Sequence, residues 1–517
     1  MIRRRAAAVA FLLLGCVAAG CRQRMPLDEG TLVIALPGAP DTIDPRLAAD
    51  AYGTQILQMT HASLIRLDAA GEPVPDLAES WEQESPTAYR FRLRDGVRFH
   101  DGRELTSVDV RDTFEWILDP KHRSPHRHAY SAISRIETPD PRTIVFRLKE
   151  PFAPFLAGMV RGIVPRGSPV SAYSPPVGAG PYRIEDYRQG EAVTLSRFEG
   201  YFGGAPAIER VEVKFVPDTN VRFLELRKGS VNFVLNGVDP DLLPAALENR
   251  NLVMEEAPGS NASYLGFNLR DPILSDRRVR RAIALAIDRE AIVKAIWGGH
   301  ADVADSILAP GYWAHAEGLP PLRHDPRAAA ALLDAAGRPD PDGAGPKPRF
   351  RLTYKTSQNE LRRRIAAVFQ EQLRAVGIDL EIHSYEWGTF FSDIRNGNFQ
   401  LYSLTWVGIR DPDIYHYVFH SGSAPPAGAN RGGYQNPAVD RLVEAGRRET
   451  SRSARKAIYG KVQRILWEDL PIFPLWIHRN ILVRDRRLAG FVITPDEDYG
   501  SVRRMRIEPD PSRPAEK

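Results

Sequence analysis

Two groups of histidines have spacings that a divalent metal site could use. His122, His126 and His128 lie in the segment KHRSPHRH, while His416 and His420 are four residues apart on an expected helix. Lysine and arginine surround the first group and oppose cation binding. The second pair supplies only two of the ligands that a coordination sphere requires. We therefore predict no metal site and no cofactor, and we expect an exposed loop at the first group.

Local motifs of the common enzyme classes are absent from the sequence. It has no Gly-x-Ser-x-Gly nucleophile elbow, no Gly-x-x-x-x-Gly-Lys-Ser/Thr phosphate loop and no His-Glu-x-x-His zinc helix. The two cysteines, Cys16 and Cys21, both lie near the amino terminus, so the rest of the chain has no thiol nucleophile and no internal disulfide. This pattern predicts a non-enzymatic protein, with a lipid-anchored hydrolase as a less favoured alternative.

The spacing of apolar residues predicts both strands and helices. Runs or alternation of apolar residues predict strands at 31–36, 143–148 and 211–215, and a hairpin over 89–99 that turns at Asp95-Gly96. Helical spacing begins at Val108. A longer helix is expected over 276–297, with a solvated face formed by its arginines, Arg277, Arg278, Arg280, Arg281 and Arg289.

A strand, a helix and a second strand follow one another between residues 350 and 382. Alternating apolar residues mark the two strands, and apolar residues at helical spacing separate them, with Gly377 placed to end the helix. Such a unit predicts parallel strands with a right-handed connection. The preceding segment 337–348 is rich in glycine and proline and predicts a surface loop. These elements indicate an α/β body with more than one lobe.

Composition excludes several classes of protein. The chain has 517 residues, of which 43% are hydrophobic and 26% charged, which is typical of globular proteins and not of fibrous or disordered ones. Its formal charge is +4, and Arg3, Arg4 and Arg5 contribute three of those positive charges. With so little excess charge in the remainder, nothing favours a nucleic-acid partner.

The first twenty residues have the layout of a secretory signal. Met1 to Arg5 is basic, and the 15 residues from Ala6 to Gly20 carry no charge. A membrane-spanning helix would need roughly 20 apolar residues. The stretch ends in Val-Ala-Ala-Gly-Cys, which resembles the lipobox of bacterial lipoproteins and predicts acylation of Cys21, with Cys16 as the weaker alternative. A signal peptide over 1–20 and a tether over 21–28 would place the protein in the periplasm or cell envelope, on a membrane face that the sequence does not specify.

Several longer segments occur in a characteristic order. They are DLAESW (76–81), the stretch 89–110, VGAGPY (177–182), SDRRVRRAIALAIDR (275–289), AVGIDLEI (375–382) and YQNPAVDRLV (434–443). In this order they resemble the extracytoplasmic solute-binding proteins of the peptide/nickel class, which deliver ligands to ABC importers. The resemblance extends from about Leu32 to about Ile507.

The resemblance implies a bilobal periplasmic-binding-protein fold of the class II type with an additional inserted domain. Domain I would comprise residues 29–58, 178–268 and 480–510, domain II the insertion 59–177, and domain III residues 269–479, followed by a tail over 511–517. Ligand would bind between domains I and III, and closure would bury it.

Site residues are also implied by position in the family pattern. Relatives that bind peptide amino termini resemble Trp-x-Gly/Ala-Asp, whereas here Ile409 stands where that Asp would be. Either Asp411 or Asp413 replaces it, or the ligand has no free amino terminus; Asp411 could equally be a turn and helix-capping residue. The predicted ligand-binding residues are Leu47, Ala48, Asn268, Trp406, Val407, Gly408, Asp411 and Trp476, with His478 as a further wall residue.

The resemblance therefore implies a lipid-anchored receptor that captures oligopeptide-like solutes and delivers them to ABC permease subunits. The protein is expected to be a monomer that contacts the membrane only through its acyl anchor. A receptor for a non-peptide solute, such as a metal chelate, haem or an oligosaccharide, is the main alternative.

Overall fold

The computed structural model of the protein describes Leu27 and residues 30–170, 175–343 and 345–509. In this part of the chain the helices are α1 (Ala51–Thr60), α2 (Ser107–Leu118), α3 (Thr219–Lys228), α4 (Leu243–Leu247), α5 (Arg277–Ala286), α6 (Arg289–Ile296), α7 (Pro326–Ala335), α8 (Glu360–Arg374), α9 (Trp387–Arg395), α10 (Ile414–Phe419), α11 (Pro437–Arg448) and α12 (Arg452–Asp469). Short 3₁₀ helices cover Pro120–His122, Ala153–Gly158, Pro240–Leu242 and Tyr499–Arg504. Within the described residues, no helix has both the length and the apolar character that a bilayer-spanning helix requires.

The strands are β1 (Thr31–Leu36), β2 (Ile65–Leu67), β3 (Pro73–Pro75), β4 (Ala78–Ser85), β5 (Ala88–Leu93), β6 (Ile133–Asp140), β7 (Thr143–Leu148), β8 (Tyr182–Arg188), β9 (Ala192–Arg197), β10 (Arg210–Phe215), β11 (Phe233–Leu235), β12 (Leu252–Phe267), β13 (Ala301–Val303), β14 (Phe350–Ser357), β15 (Ile378–Tyr385), β16 (Leu401–Trp406), β17 (Ile472–Asp485), β18 (Leu488–Ala489) and β19 (Arg506–Ile507). The predicted strands at 31–36, 143–148 and 211–215 are confirmed, as is the helix that begins near Val108.

An eleven-stranded sheet runs through the molecule in the order β15-β14-β16-β12-β17-β11-β1-β10-β9-β8, with β13 paired to β17. The two long strands β12 and β17 belong to both halves of this sheet. Residues 262–267 of β12 pair with β16, whereas residues 482–484 of β17 pair with β11. Any movement of one half against the other must therefore bend these two strands.

A register shift interrupts the pairing of β12 with β17. Pro258 is opposite Arg479, but the next pair joins Ala262 to Ile477. Between them, Gly259 passes so close to the neighbouring strand that an added Cβ would lie 2.3 Å from the carbonyl oxygen of His478. Only glycine fits this close backbone approach.

A separate four-stranded sheet has the order β4-β5-β7-β6 and packs against α2 around one hydrophobic core. The hairpin predicted over 89–99 is wrong, although Gly96 does form a turn with φ of 66°. Both edges of β5 are already paired, with β4 and β7. The residues after the turn pair instead with the next segment: Leu105 donates its N–H to Val97, and Phe99 donates to Arg103.

The strand-helix-strand unit is confirmed as β14, α8 and β15. The two strands are parallel over eight residue pairs, from Phe350–Ile378 to Ser357–Tyr385. Gly377 follows the helix with φ of 81°, in the left-handed region that favours glycine. The described residues of the segment 337–348 contain neither helix nor strand.

The single helix predicted over 276–297 is wrong, because the chain breaks between α5 and α6. Asp288 begins α6 by accepting a hydrogen bond from the N–H of Ala291. The fully solvated arginine face is also wrong, since Arg280 is 4% exposed and Arg289 is 6% exposed. Their guanidinium groups donate to backbone carbonyl oxygens: Arg280 donates to Leu274 and Leu470, and Arg289 donates to Leu322 and to Pro474 of β17. A buried arginine is tolerated when its N–H groups find acceptors.

Candidate functional site

Two cavities of similar size lie next to each other, and Arg410, in the loop after β16, lines both. The first compartment has a volume of about 1050 Å³ and lies between residues 45–67, 160–162, 496–503 and Arg410. The second compartment has a volume of about 1030 Å³ and lies between residues 71–89 and 153–157 on one side and residues 313, 410–411 and 450–455 on the other. Together they form the largest candidate ligand site among the described cavities.

Carboxylates and guanidinium groups alternate along the first compartment. Asp76 accepts from the N–H of Ser63 at 3.0 Å and from Nε of Arg66 at 3.1 Å. Burial raises the pKa of Asp76, whereas Arg66 opposes this effect. Asp496 pairs with Nε of Arg410 at 3.0 Å. The compartment therefore contains fixed charges of both signs.

Asp498 begins the 3₁₀ helix Tyr499–Arg504 and also lines the first compartment. Its Oδ1 accepts from the N–H of Gly500 at 2.7 Å. Burial, together with the nearby charge of Asp496, raises the pKa of Asp498. A cationic ligand group would stabilise the ionised form of Asp498 and so lower its pKa.

His126 belongs to the KHRSPHRH segment and lies against the wall of the first compartment. His122 and His128 are exposed, as expected, but His126 is half-buried. Its Nε2 lies 2.8 Å from the carbonyl oxygen of Ala48, and its Nδ1 lies 3.1 Å from Arg161. Burial and the charge of Arg161 lower the pKa of His126 to about 4. The neutral ring positions the Ala48 loop that faces the cleft.

Aromatic and basic side chains dominate the second compartment. Trp81, Tyr89 and Trp313 line it. The guanidinium groups of Arg452 and Arg455 lie over the Trp313 ring, 5.2 and 5.4 Å from its centroid. Such cation–π contacts fix flat surfaces against which an apolar or aromatic group can pack.

Asp411 lines the second compartment, and both of its carboxylate oxygens are engaged. They accept from Arg455 at 3.0 and 2.6 Å, and Oδ1 also accepts from the N–H of Asp413 at 2.8 Å, immediately before α10. Asp413 lies 3.0 Å from Nε of Arg447, and burial raises the pKa of Asp413 to about 6. Ile409 is buried in an apolar cluster. The structure therefore places Asp411 in an ion pair and a turn, both within the cleft wall.

The predicted residues 406–408 lie at the end of β16. The Trp406 ring stacks on Tyr264 with centroids 5.6 Å apart, and Arg431 lies over its face. Val407 is 62% exposed. Gly408 has φ of 61°, and its N–H donates to Asn261 at 3.0 Å. The main chain of this segment is thus fixed, and it leads directly into Arg410.

The remaining predicted residues occupy different places. Ala48 lines the first compartment, and Leu47 precedes it, half-buried. The Asn268 amide donates to the carbonyl oxygen of Phe399 at 2.8 Å. Trp476 is buried and, with His478, lines a third cavity of about 560 Å³. Burial lowers the pKa of His478 to about 3. Cys21 and Cys16 lie outside the described residues.

The second histidine pair is occupied by protein groups. The rings of His416 and His420 are stacked 4.5 Å apart, His416 Nε2 contacts Arg447, and His420 Nε2 contacts Glu444. In the part of the chain that the structure describes, no group of three or more His, Cys, Asp or Glu side chains could hold a metal ion.

Sequence reasoning missed the charged groups of the first compartment: Asp76, Arg410, Asp496, Asp498 and Arg503. They come from three segments that are far apart in the sequence, so no local sequence pattern indicates that they line one cavity. The one available indication was the dense charge of residues 496–504, DEDYGSVRR, which follow the last long strand.

Comparison with known proteins places the chain in a family. A family model described as "Bacterial extracellular solute-binding proteins, family 5 Middle" matches residues 72–426. The chain is 27% identical to the oligopeptide-binding protein AppA of Bacillus subtilis over 92% of this chain and 91% of that protein. It is 26% identical to the dipeptide-binding protein of Escherichia coli over 90% and 92% of the two chains.

Solved structures agree with this assignment. The structure of AppA in complex with a nonapeptide matches with a TM-score of 0.80 and 26% identity, covering 93% of this chain and 99% of that one. NikZ from Campylobacter jejuni, in complex with Ni(L-His), matches with a TM-score of 0.81 and 25% identity over 92% and 99%. The mixed α/β fold is thus that of the periplasmic binding proteins, whose members bind solutes and are not enzymes. This chain belongs to the bacterial extracellular solute-binding proteins of family 5.

Proposed function

We propose that the protein is a lipid-anchored receptor that captures peptides in the two-compartment cleft and delivers them to an ABC permease. The observation that best supports a peptide ligand is the first compartment, in which Asp496, Asp498, Arg410 and Arg503 present both signs of charge. A peptide carries an ammonium and a carboxylate group, and each requires an opposite charge once it is removed from water. Because similar proteins bind oligopeptides and dipeptides, we expect a peptide ligand here too.

The ligand main chain is proposed to lie between the Ala48 loop and residues 407–408. Ala48 lines the first compartment and Leu47 precedes it, while the exposed Val407 and the fixed backbone of Gly408 lie at the end of β16. An extended peptide can pair with such backbone groups while its side chains enter larger spaces. The second compartment, with Trp81 and Trp313, would receive apolar or aromatic side chains. Asn268, Trp406 and Trp476 are proposed to support these walls.

We propose that Asp498, assisted by Asp496, binds the ligand ammonium in place of the carboxylate that Ile409 lacks. The Asp498 carboxylate accepts one hydrogen bond from the protein, from the N–H of Gly500, and its neighbour Asp496 adds negative charge. Asp411 is less suited to this role, because an ammonium bound to it would have to share the carboxylate with Arg455.

Closure of the cleft is proposed to bring domain III (269–479) toward domains I and II. Ion pairs join the proposed domain III to the rest of the chain, among them Arg364–Asp241, Arg410–Asp496, Arg448–Glu150 and Arg452–Glu72. Most are solvent-exposed, so each contributes less than about 1 kcal/mol. A ligand that bridges the two sides would supply most of the free energy of closure.

Calorimetric titration with a panel of unmodified and N-acetylated peptides, three to nine residues long, tests the peptide function. We expect binding of unmodified peptides, a higher melting temperature with ligand, and weaker binding of the acetylated forms, which lack the ammonium. Binding of nickel–histidine or an oligosaccharide without any peptide binding would refute the proposal. Asp498→Asn should remove the preference for a free amino terminus, whereas Asp485→Asn, which lies outside the cleft lining, should not.

Anchoring and delivery are proposed from the leader and the family. Cys21 would be acylated and residues 22–28 would tether the body to a membrane face in the periplasm or cell envelope, as a monomer that docks on permease subunits. Labelling with a radioactive fatty acid should mark the wild-type protein and fail for Cys21→Ser, while Cys16→Ser should remain labelled. Labelling that depends on Cys16 alone would show that the cleavage site is misassigned.

A further inference from the structure

Arg503 is a half-buried arginine in the wall of the first compartment that has no ionic partner. It lies in the 3₁₀ helix Tyr499–Arg504, and its side chain lines the cavity. Among the residues that the structure describes, no hydrogen bond and no ion pair involves the Arg503 guanidinium. An unpaired guanidinium in a partly buried site loses solvation without a compensating contact.

The other arginines of this compartment already have acceptors. Arg66 donates to Asp76, Arg410 donates to Asp496, and Arg161 donates to the carbonyl oxygen of Pro45 at 3.3 Å. No carboxylate lies within 4.0 Å of the Arg503 guanidinium in the described part of the chain; Asp76 acts on it only at longer range and is itself paired with Arg66. Burial lowers the pKa of Arg503, and the nearby Tyr201 and Asp76 only partly oppose this effect. The compartment therefore keeps a positive charge available for an anion.

Tyr201 gives a second, independent indication. It is 6% exposed, lines the same compartment, and its hydroxyl makes no hydrogen bond with any described residue. Although the residue is largely buried, its hydroxyl group reaches the open space of the compartment and can donate to a ligand there. Burial raises the pKa of Tyr201 to about 12, so the hydroxyl remains a donor at neutral pH. A guanidinium fork and a hydroxyl donor are both suited to the oxygens of a carboxylate.

We propose that Arg503 and Tyr201 form the subsite that binds the carboxyl-terminal carboxylate of a peptide ligand. This inference rests on the proposed peptide function and adds the direction in which the bound peptide chain runs. Asp498, at the start of the same 3₁₀ helix, would bind the ammonium of a short peptide, and the carboxylate would lie toward the end of that helix. Five residues of a 3₁₀ helix rise about 10 Å, which is close to the roughly 10 Å length of an extended tripeptide.

The test compares the dissociation constants of three versions of one tripeptide: the free acid, the carboxyl-terminal amide, and an amide whose last residue is glutamate. The wild-type protein should bind the free acid about 10- to 100-fold more tightly than the amide, as expected for a charge-assisted pair of hydrogen bonds. Arg503→Gln should reduce this ratio below about threefold, Tyr201→Phe should reduce it partly, and Arg503→Lys should retain part of it. Arg504→Gln is the matched control, because Arg504 is adjacent but exposed.

The possible outcomes separate the subsite from the general function. Equal binding of acid and amide by the wild-type protein overturns the carboxylate subsite and leaves the peptide function intact. An equal loss of preference in Arg504→Gln overturns it as well, because the effect would then come from general surface charge. If the glutamate-terminated amide binds as well as the free acid, the subsite accepts a side-chain carboxylate and the carboxyl-terminal assignment is wrong. Failure to bind any peptide refutes the proposed function and this inference together. If Arg503→Gln does not fold, Arg503→Lys and Tyr201→Phe test the assignment, and an unchanged ratio in both overturns it.

Discussion

Replacing Asp411 with alanine should destabilise the folded protein by about 3 kcal/mol, because the change leaves a buried charge without its partner. The two side chains are 17% exposed for Asp411 and 8% for Arg455, and two short hydrogen bonds join them. Removal of one partner of a buried ion pair costs about 3–5 kcal/mol. Access of water from the second compartment moves the expected value toward the lower end of this range.

Urea unfolding followed by tryptophan fluorescence, in the absence of ligand, measures this loss. Asp411→Asn keeps an acceptor for the N–H of Asp413 but loses the charge, so it should cost less than Asp411→Ala. Asp411→Asn combined with Arg455→Met removes both charges and should recover part of the loss, since a matched apolar replacement avoids the unpaired cation. Unchanged stability of Asp411→Ala together with greatly weakened peptide binding would refute this reasoning, because Asp411 would then pair with the ligand and not with Arg455.

Two further changes test the strand crossing and a buried histidine. Gly259→Ala would place a Cβ 2.3 Å from a backbone oxygen, so we expect a loss of about 1–3 kcal/mol in urea unfolding; wild-type stability would mean that β12 readily shifts there. Burial, with His100 and Arg46 nearby, lowers the pKa of His61 to about 3. The unfolded state takes up the proton near pH 6.5, so His61 lowers stability by about 2 kcal/mol between pH 7 and pH 5. His61→Gln should remove that part of the pH dependence, and an identical pH profile would show that His61 takes up its proton over the same pH range in the folded and unfolded states.

The parts of the fold that sequence predicted well depend on local patterns. The parallel unit of β14, α8 and β15 has strand alternation, helical spacing and a terminal glycine in one continuous stretch. The failed hairpin over 89–99 had the correct turn, but pairing was decided by β4 and β7, which lie elsewhere in the sequence. Likewise, the burial of Arg280 and Arg289 depends on backbone carbonyl groups up to 190 residues away in the sequence.

The residues of the candidate site could likewise be predicted only where a local pattern marks them. Trp406 to Gly408 could be singled out because the family pattern marks that segment. Arg503 and Tyr201 could not, because they are about three hundred residues apart and acquire their common role only where the fold brings them to one cavity. Whether a polar group lacks a hydrogen-bond partner depends on the residues around it, and only the structure shows which residues those are.

Native mass spectrometry of the protein from Arg22 onward, purified without denaturation, tests the central claim most directly. The protein should retain co-purified ligand, and denaturation should release a set of peptide masses whose identities fragmentation can establish. Release of a single non-peptide solute or of a metal complex would contradict the peptide-receptor account.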